Sequence, residues 1–233
     1  MYHKPCADSN YFHNSTRKRD NIEYIVVHYT GNNGDTARNN VDYFARTKVG
    51  ASAHYFVDGA EVACSVPWYK IAWHCGGSKG SRGSSVHAKC RNSNSIGVEL
   101  CCKKDKSGAF YFDDNTVSNA AAFIASLMRD YHVPIERVVR HYDVTGKICP
   151  APFIDEKAWA AFKNLIMRKF DGGTYEVDVK YYEKLEEIPA GEFRETVREL
   201  VNKKVIRGKA DGLHLSEDML RCLVFCRRMV ENR

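Results

Sequence analysis

No stretch of this sequence is apolar for long enough to cross a bilayer, and residues 1–10 hold nothing of signal-peptide length. The chain is therefore expected to be made in a cytosol. There is no fixed-period repeat and no low-complexity tract, which argues against a repeat architecture. No block of like charges resembles a nucleic-acid-binding tail. C-x-x-C pairs, the commonest zinc-finger signature, are absent too.

What is present is ordinary for a folded protein. With 233 residues, 44% hydrophobic and 27% charged, the chain can form one medium domain with a real core and a small second one. Lys and Arg outnumber Asp and Glu by 35 to 29, and the resulting +6 suits an anionic polymer: nucleic acid, a membrane surface or a teichoic-acid-bearing wall. Charge alone does not choose among them. Nine cysteines would suggest disulfides in a secreted protein, but the number is odd and the spacing irregular. Cys101 and Cys102 are adjacent, and Cys222 and Cys226 stand at helical spacing. Apart from Cys149, they are expected to be small buried hydrophobes kept reduced.

Residues 23–29 (E-Y-I-V-V-H-Y) form a β-branched and aromatic run that predicts a buried strand. Gly31 and the polar residues after it stop the strand, and Asp35 or Thr36 can cap a helix to about Thr47. Residues 52–57 and 60–66 read as a hairpin around Asp58-Gly59. A long irregular stretch, 76–93, is of a kind that is usually functional or mobile. Strand character returns over 95–102. Residues 113–131 predict a helix with Val117, Ala121, Ile124, Leu127 and Tyr131 on one face. A short strand over 137–142 and a helix over 155–170, burying Trp159, Phe162 and Ile166, complete a mixed α/β domain over residues 1–170. Asp171-Gly172-Gly173-Thr174 reads as a linker, residues 171–174. Beyond it, residues 175–233 are charged and helix-forming, with amphipathic helices expected over 192–204 and 216–230.

Three side chains able to bind zinc stand at or just past the ends of predicted strands. His28 is near the end of the first, His141 at the end of a later one, and Cys149 after a short Gly-containing loop. Two imidazoles and a thiolate leave a fourth tetrahedral position for water, the layout of a catalytic zinc site rather than a structural one. From the residues alone, His28 reads equally well as a satisfied core histidine.

The surrounding segments narrow the choice. V-V-H-Y-T-G (26–31), S-A-H-Y-F-V-D (52–58), A-W-H-C-G (72–76), N-S-I-G-V-E-L (94–100) and R-H-Y-D-V-T-G-K-I-C-P-A-P-F (140–153) follow one another in order. Together they resemble the N-acetylmuramoyl-L-alanine amidase family, whose domain is shared with peptidoglycan recognition proteins and amidase-type phage lysozymes. The resemblance covers residues 22–166. It implies a mixed central β-sheet flanked by helices, and a zinc ion held by His28, His141 and Cys149. It also implies that Glu99 acts in catalysis beside the metal, that Lys147 polarises the substrate or stabilises the oxyanion, and that His74 lies in the substrate cleft. Glu99 could instead be a solvent-facing carboxylate, but it follows Ile96 and Val98 in an apolar strand, where an idle charge is costly. Lys147 could be an ordinary solvated loop lysine. His54 is expected to be structural, and His3, His13, His87, His132 and His214 incidental.

One position departs from the family pattern. Many members place a tyrosine directly before the hairpin histidine; here that residue is Ala53, and Tyr55 is expected to face the other side of the strand. Weight therefore moves to Glu99 as the acid–base group. The substrate bond implied is the amide between the lactyl group of muramic acid and L-alanine.

Residues 182–189, the helix carrying Phe193, Val197, Leu200 and Val201, and residues 213–221 resemble the tail domains of some clostridial-type phage amidases. This implies a small, mainly helical cell-wall-binding domain. A small basic DNA binder is the competing reading, opposed by charges of mixed sign, and a packing extension with no ligand is another. The implied protein is a phage endolysin made in the host cytoplasm that acts on wall peptidoglycan after release, with neither nucleic acid nor membrane as partner. A non-catalytic peptidoglycan receptor is the main alternative. Such relatives lack the cysteine ligand, so Cys149 favours the enzyme. A structural zinc protein binding nucleic acid is a second alternative, which hydrolytic activity would exclude.

Overall fold

The computed structural model describes residues 1–233 except 13, 172–180, 207–211, 214, 217–218, 221–222, 225–226 and 228–233. The predicted first strand is part of a six-stranded sheet formed by Tyr2–His3 (β1), Tyr24–Tyr29 (β2), Tyr55–Val57 (β3), Val62–Cys64 (β4), Ser95–Leu100 (β5) and Val138–Arg140 (β6). The strands lie in the order β1-β4-β3-β5-β2-β6. Only the β3–β4 hairpin is antiparallel; β1 and β4, β3 and β5, β5 and β2, and β2 and β6 pair parallel.

Strand alternation sorts the side chains between two faces. Ile25 and Val27 of β2, with Ile96, Val98 and Leu100 of β5, enter the main core with Ile124 and Leu127 of Asp114–Tyr131 (α2) and Trp159, Phe162 and Ile166 of Glu156–Phe170 (α4). Fully burying each such aliphatic side chain is worth roughly 1.5–3 kcal/mol, which makes this layer the main stabilising element. On the opposite face lie Ala37–Arg46 (α1), packed through Ala37 and Val41 on Phe56, and the short His141–Thr145 (α3), packed through Val144 near Val26. The sheet is thus mixed and flanked by helices on both faces, as the sequence implied.

Caps mark the helix starts where expected: Thr36 accepts from the Asn39 amide, and Asp155 from the Ala158 amide. Several elements are shorter than predicted, and the strand expected over 95–102 ends at Leu100. Asp58 accepts from the amides of Ala37, Ala60 and Glu61, which closes the hairpin turn and limits its strands to 55–57 and 62–64. The strand expected over 137–142 ends at Arg140, because the Asp143 carboxylate accepts from the Arg140 amide and caps a helical turn. His141 therefore opens a helix rather than ending a strand.

Residues 1–174 and 175–233 form two compact units. In the second, Tyr181–Tyr182 pairs antiparallel with Leu215–Ser216, and Glu192–Asn202 (α5) contributes Val197 to a small core with Tyr182, Ile188, Leu215 and Leu220. Of the helix expected over 216–230, Ser216 lies in a strand instead, Met219, Leu220, Leu223, Val224 and Arg227 are helical, and the rest falls outside the described residues, as do 172–174 of the expected linker. The incidental histidines His13 and His214, and Cys222 and Cys226, lie outside them as well.

Candidate metal centre and catalytic cavity

Because β5, β2 and β6 run side by side in one direction, their C-terminal residues reach the same edge of the sheet. His28 and Glu99 are register partners across β2 and β5. Their immediate neighbours Val27 and Val98 face the main core, so both side chains project to the opposite face. His141 follows β6 directly. The chain then turns at Gly146, whose φ of 79° suits glycine and whose Cβ, if present, would run into the Arg82 carbonyl. This turn brings Cys149 back, with the Tyr142 amide donating to its carbonyl at 2.9 Å.

The ligating atoms of His28, His141 and Cys149 all lie within 4.8 Å of one another, and all three residues are buried. Cys149 Sγ is 3.6 Å from His28 Nδ1. His141 Nε2 is buried without a hydrogen-bond partner, a costly condition that a bound cation would relieve. Arg140 anchors the turn below: it forks onto Asp143 at 2.8 and 3.1 Å and reaches Glu156 at 2.8 Å and the Phe153 carbonyl at 2.9 Å.

Electrostatics points the same way. Burial, helped by His141 and His74, holds His28 well below the usual imidazole range, and burial with Lys147 pushes His141 down to about 4. Both rings are therefore neutral and offer lone pairs. Burial, reinforced by Glu99, pushes the Cys149 thiol up to about 12. Burial also raises Glu99 to about 8, with Lys147 pulling it down and Asp35 pushing it up. Two neutral imidazoles and a thiol able to give up its proton to a metal form a donor set that suits four-coordinate zinc with one open position.

Glu99, Lys147 and His74 line the same 250 Å³ cavity as the three candidate ligands, with Phe44, Ser52 and Trp73 among its walls. Glu99 Oε2 is buried and lacks a hydrogen-bond partner. All six residues singled out in the sequence thus meet in one place. His74 turns its ring to the cavity, but its nitrogens are engaged within the protein, by His28 and by Ser95. His54 is fully buried, accepts from the Gly97 amide at 3.0 Å through Nδ1, and has its Nε2 beside the Lys70 carbonyl at 3.2 Å. Tyr55 belongs to the main core, its ring 4.8 Å from that of Phe123, and Ala53 packs in the Phe56 cluster. The seven described cysteines are all free and buried. Sequence reasoning passed over Ser95, which reads as an ordinary strand start, and the Arg140–Asp143–Glu156 network.

The family model described as N-acetylmuramoyl-L-alanine amidase matches residues 18–152, a span that contains all six. The chain belongs to this family. The amidase BlyA of Bacillus subtilis strain 168 is 38% identical over 164 residues, covering 66% of this chain and 44% of BlyA. The chain spans less than half the length of BlyA and of two Bacillus licheniformis amidases that it also matches. The solved structure of PlyL is similar, with a TM-score of 0.57 and 31% identity, covering 71% of this chain and 96% of PlyL. A mutant endolysin from Bacillus subtilis has a TM-score of 0.54 at 26% identity, covering 71% of this chain and 97% of its own. The amidase match therefore rests on residues 1–174, the unit that carries the cavity.

Proposed function

We propose that the protein is a zinc-dependent peptidoglycan hydrolase of the endolysin type, cutting the amide bond between N-acetylmuramic acid and the L-alanine of the stem peptide. The observation that carries this reading is the convergence of His28, His141 and Cys149 beside the unpartnered carboxyl of Glu99. Relatives named for the same activity support it, as does an endolysin among the similar structures. A non-catalytic receptor would need neither Cys149 nor an acid–base group beside it.

Bound zinc would supply Lewis acidity to the amide carbonyl and favour water as a nucleophile near neutral pH. Glu99 takes a proton from the attacking water and returns it to the leaving L-alanine nitrogen. Lys147, whose charge already reaches Glu99 and His141, offsets the negative charge that gathers on the carbonyl oxygen. Neutral His28 and His141 hold the metal without adding charge to the cavity.

Wall clearing by the purified protein should be lost on chelation and restored by zinc. Zinc uptake at pH 7 should release between about one and two protons, from Cys149 and from whatever fraction of Glu99 is still protonated. Both groups are raised above their ordinary values, so both hold protons that zinc displaces, and affinity should climb with pH. Calorimetry in buffers of different ionisation heat measures this. Zinc uptake with no proton release would contradict the ligand set.

Residues 175–233 are proposed as a wall-targeting unit that raises the local enzyme concentration on an insoluble polymer. Their separate core and change in composition support this. Among the described residues no helix is long and apolar enough to cross a membrane. We infer that the protein reaches the wall from the host cytoplasm after phage-directed release, with peptidoglycan rather than nucleic acid or membrane as its partner. A chain ending at Phe170 should still cleave soluble muropeptides but sediment poorly with intact walls. Equal sedimentation of the two forms would remove the targeting role.

A further inference from the structure

His74 stands one hydrogen bond behind the candidate metal position. Its Nδ1 is 3.1 Å from His28 Nε2, and its Nε2 is 3.2 Å from Ser95 Oγ. Ser95 Oγ in turn lies 2.5 Å from the Arg91 carbonyl oxygen. His28, His74 and Ser95 are all buried, so no bulk water competes for these bonds.

The hydrogen positions follow from the far end of this chain of contacts. A carbonyl only accepts, so the Ser95 hydroxyl hydrogen goes to Arg91. Ser95 Oγ is then an acceptor toward His74, which must carry its hydrogen on Nε2. In the tautomer with its hydrogen on Nε2, His74 Nδ1 is bare and accepts from His28 Nε2. His28 Nδ1 is left bare as well, and it is the nitrogen that faces Cys149 Sγ at 3.6 Å. A reversed relay would instead put a hydrogen on that nitrogen and block it as a ligand.

We propose that the Arg91 carbonyl, Ser95 and His74 form a relay that fixes the His28 tautomer and presents a bare Nδ1 to the metal. His74 and Ser95 are positioning residues, acting through His28, and the inference rests on the zinc reading of the site. The surroundings hold the relay in place. Asn92 Oδ1 accepts from the amides of His74 and Cys75 at 3.1 and 2.9 Å and from the Cys75 thiol at 3.3 Å. Cys75 Sγ also lies 3.5 Å from Ser95 Oγ, but the much shorter 2.5 Å contact with the Arg91 carbonyl takes the Ser95 hydrogen. Gly97 lets the His74 ring lie against β5, since a Cβ there would meet His74 Cγ at 2.6 Å. Strand alternation puts Ser95, Gly97 and Glu99 on one face, so a single strand supplies the relay, its clearance and the acid–base carboxyl.

The test uses the full chain labelled with ¹⁵N-histidine. Long-range ¹H–¹⁵N correlation spectra of the metal-free protein should show both His28 and His74 with the hydrogen on Nε2. Ser95→Ala should keep the melting temperature near wild type, mix the two His28 tautomers, and weaken zinc binding by roughly 10–100-fold, the usual cost of losing an outer-shell partner. Gly97→Ala, which displaces the ring without removing a donor, should weaken zinc in the same direction. A metal-free wild type with the hydrogen on His28 Nδ1, or a Ser95→Ala protein binding zinc within about twofold of wild type, would overturn the relay. Failure of the wild type to bind zinc at all would instead refute the metal reading, and the tautomer spectrum would still decide the relay.

Discussion

Glu99→Gln is expected to lower turnover by roughly 10²–10⁴-fold, the usual worth of a positioned acid–base group, with zinc content and folding near wild type. The amide keeps the shape of the side chain but cannot accept the water proton. Glu99 is suited to the task by its place in β5, in register with His28, and by an Oε2 that is buried without a partner. Burial raises its carboxyl to about 8 before any cation is bound, and a dication in the cavity would bring it down. Since the carboxylate is the working base, activity should be lost as the pH falls through its value in the loaded enzyme. That acid limb should vanish in Glu99→Gln. Lys147→Ala gives the contrast: it should lower the rate while leaving the limb in place. A Glu99→Gln protein with full zinc and activity within about threefold of wild type would refute the assignment.

Cys149→Ser should lose zinc and wall-clearing activity together. A serine hydroxyl does not ionise in the range where a thiol yields to a metal, so two imidazoles alone must hold the ion. The loss in affinity should exceed the roughly 10–100-fold that outer-shell changes cost. Cys64→Ala is the control: its buried thiol sits in the main core, and that variant should keep its zinc. Undiminished zinc in Cys149→Ser, measured by atomic absorption on protein of native circular dichroism, would show the third ligand to be another residue.

Much of the site was legible because its strands carry period-two patterns. Ile96, Val98 and Leu100 alternate with Ser95, Gly97 and Glu99, so one face of β5 had to meet the core and the other something polar. The run around His28 gave its strand directly. His141 was less legible: its neighbours Val138 and Val139 extend the strand pattern, and only the Asp143 cap on Arg140 converts the next residues into a helical turn. The engagement of His74 could not be read at all, because it depends on Ser95, 21 residues away, whose hydroxyl looks like that of any strand-starting serine. The hairpin was placed correctly but drawn too long, since the triple acceptance by Asp58 is a tertiary event. In the second unit helix α5 matched its amphipathic pattern closely, Val197 reaching the core as the spacing required.

The most direct measurement is to map the bond cut in purified cell walls by mass spectrometry, with and without zinc. The expected products are stem peptides beginning at a free L-alanine amino group and intact glycan strands bearing free lactyl carboxyls, formed only by the zinc-loaded protein. New reducing sugar ends, cleavage inside the stem peptide or cross-bridge, or undiminished release of L-alanine termini from metal-free protein would contradict the account.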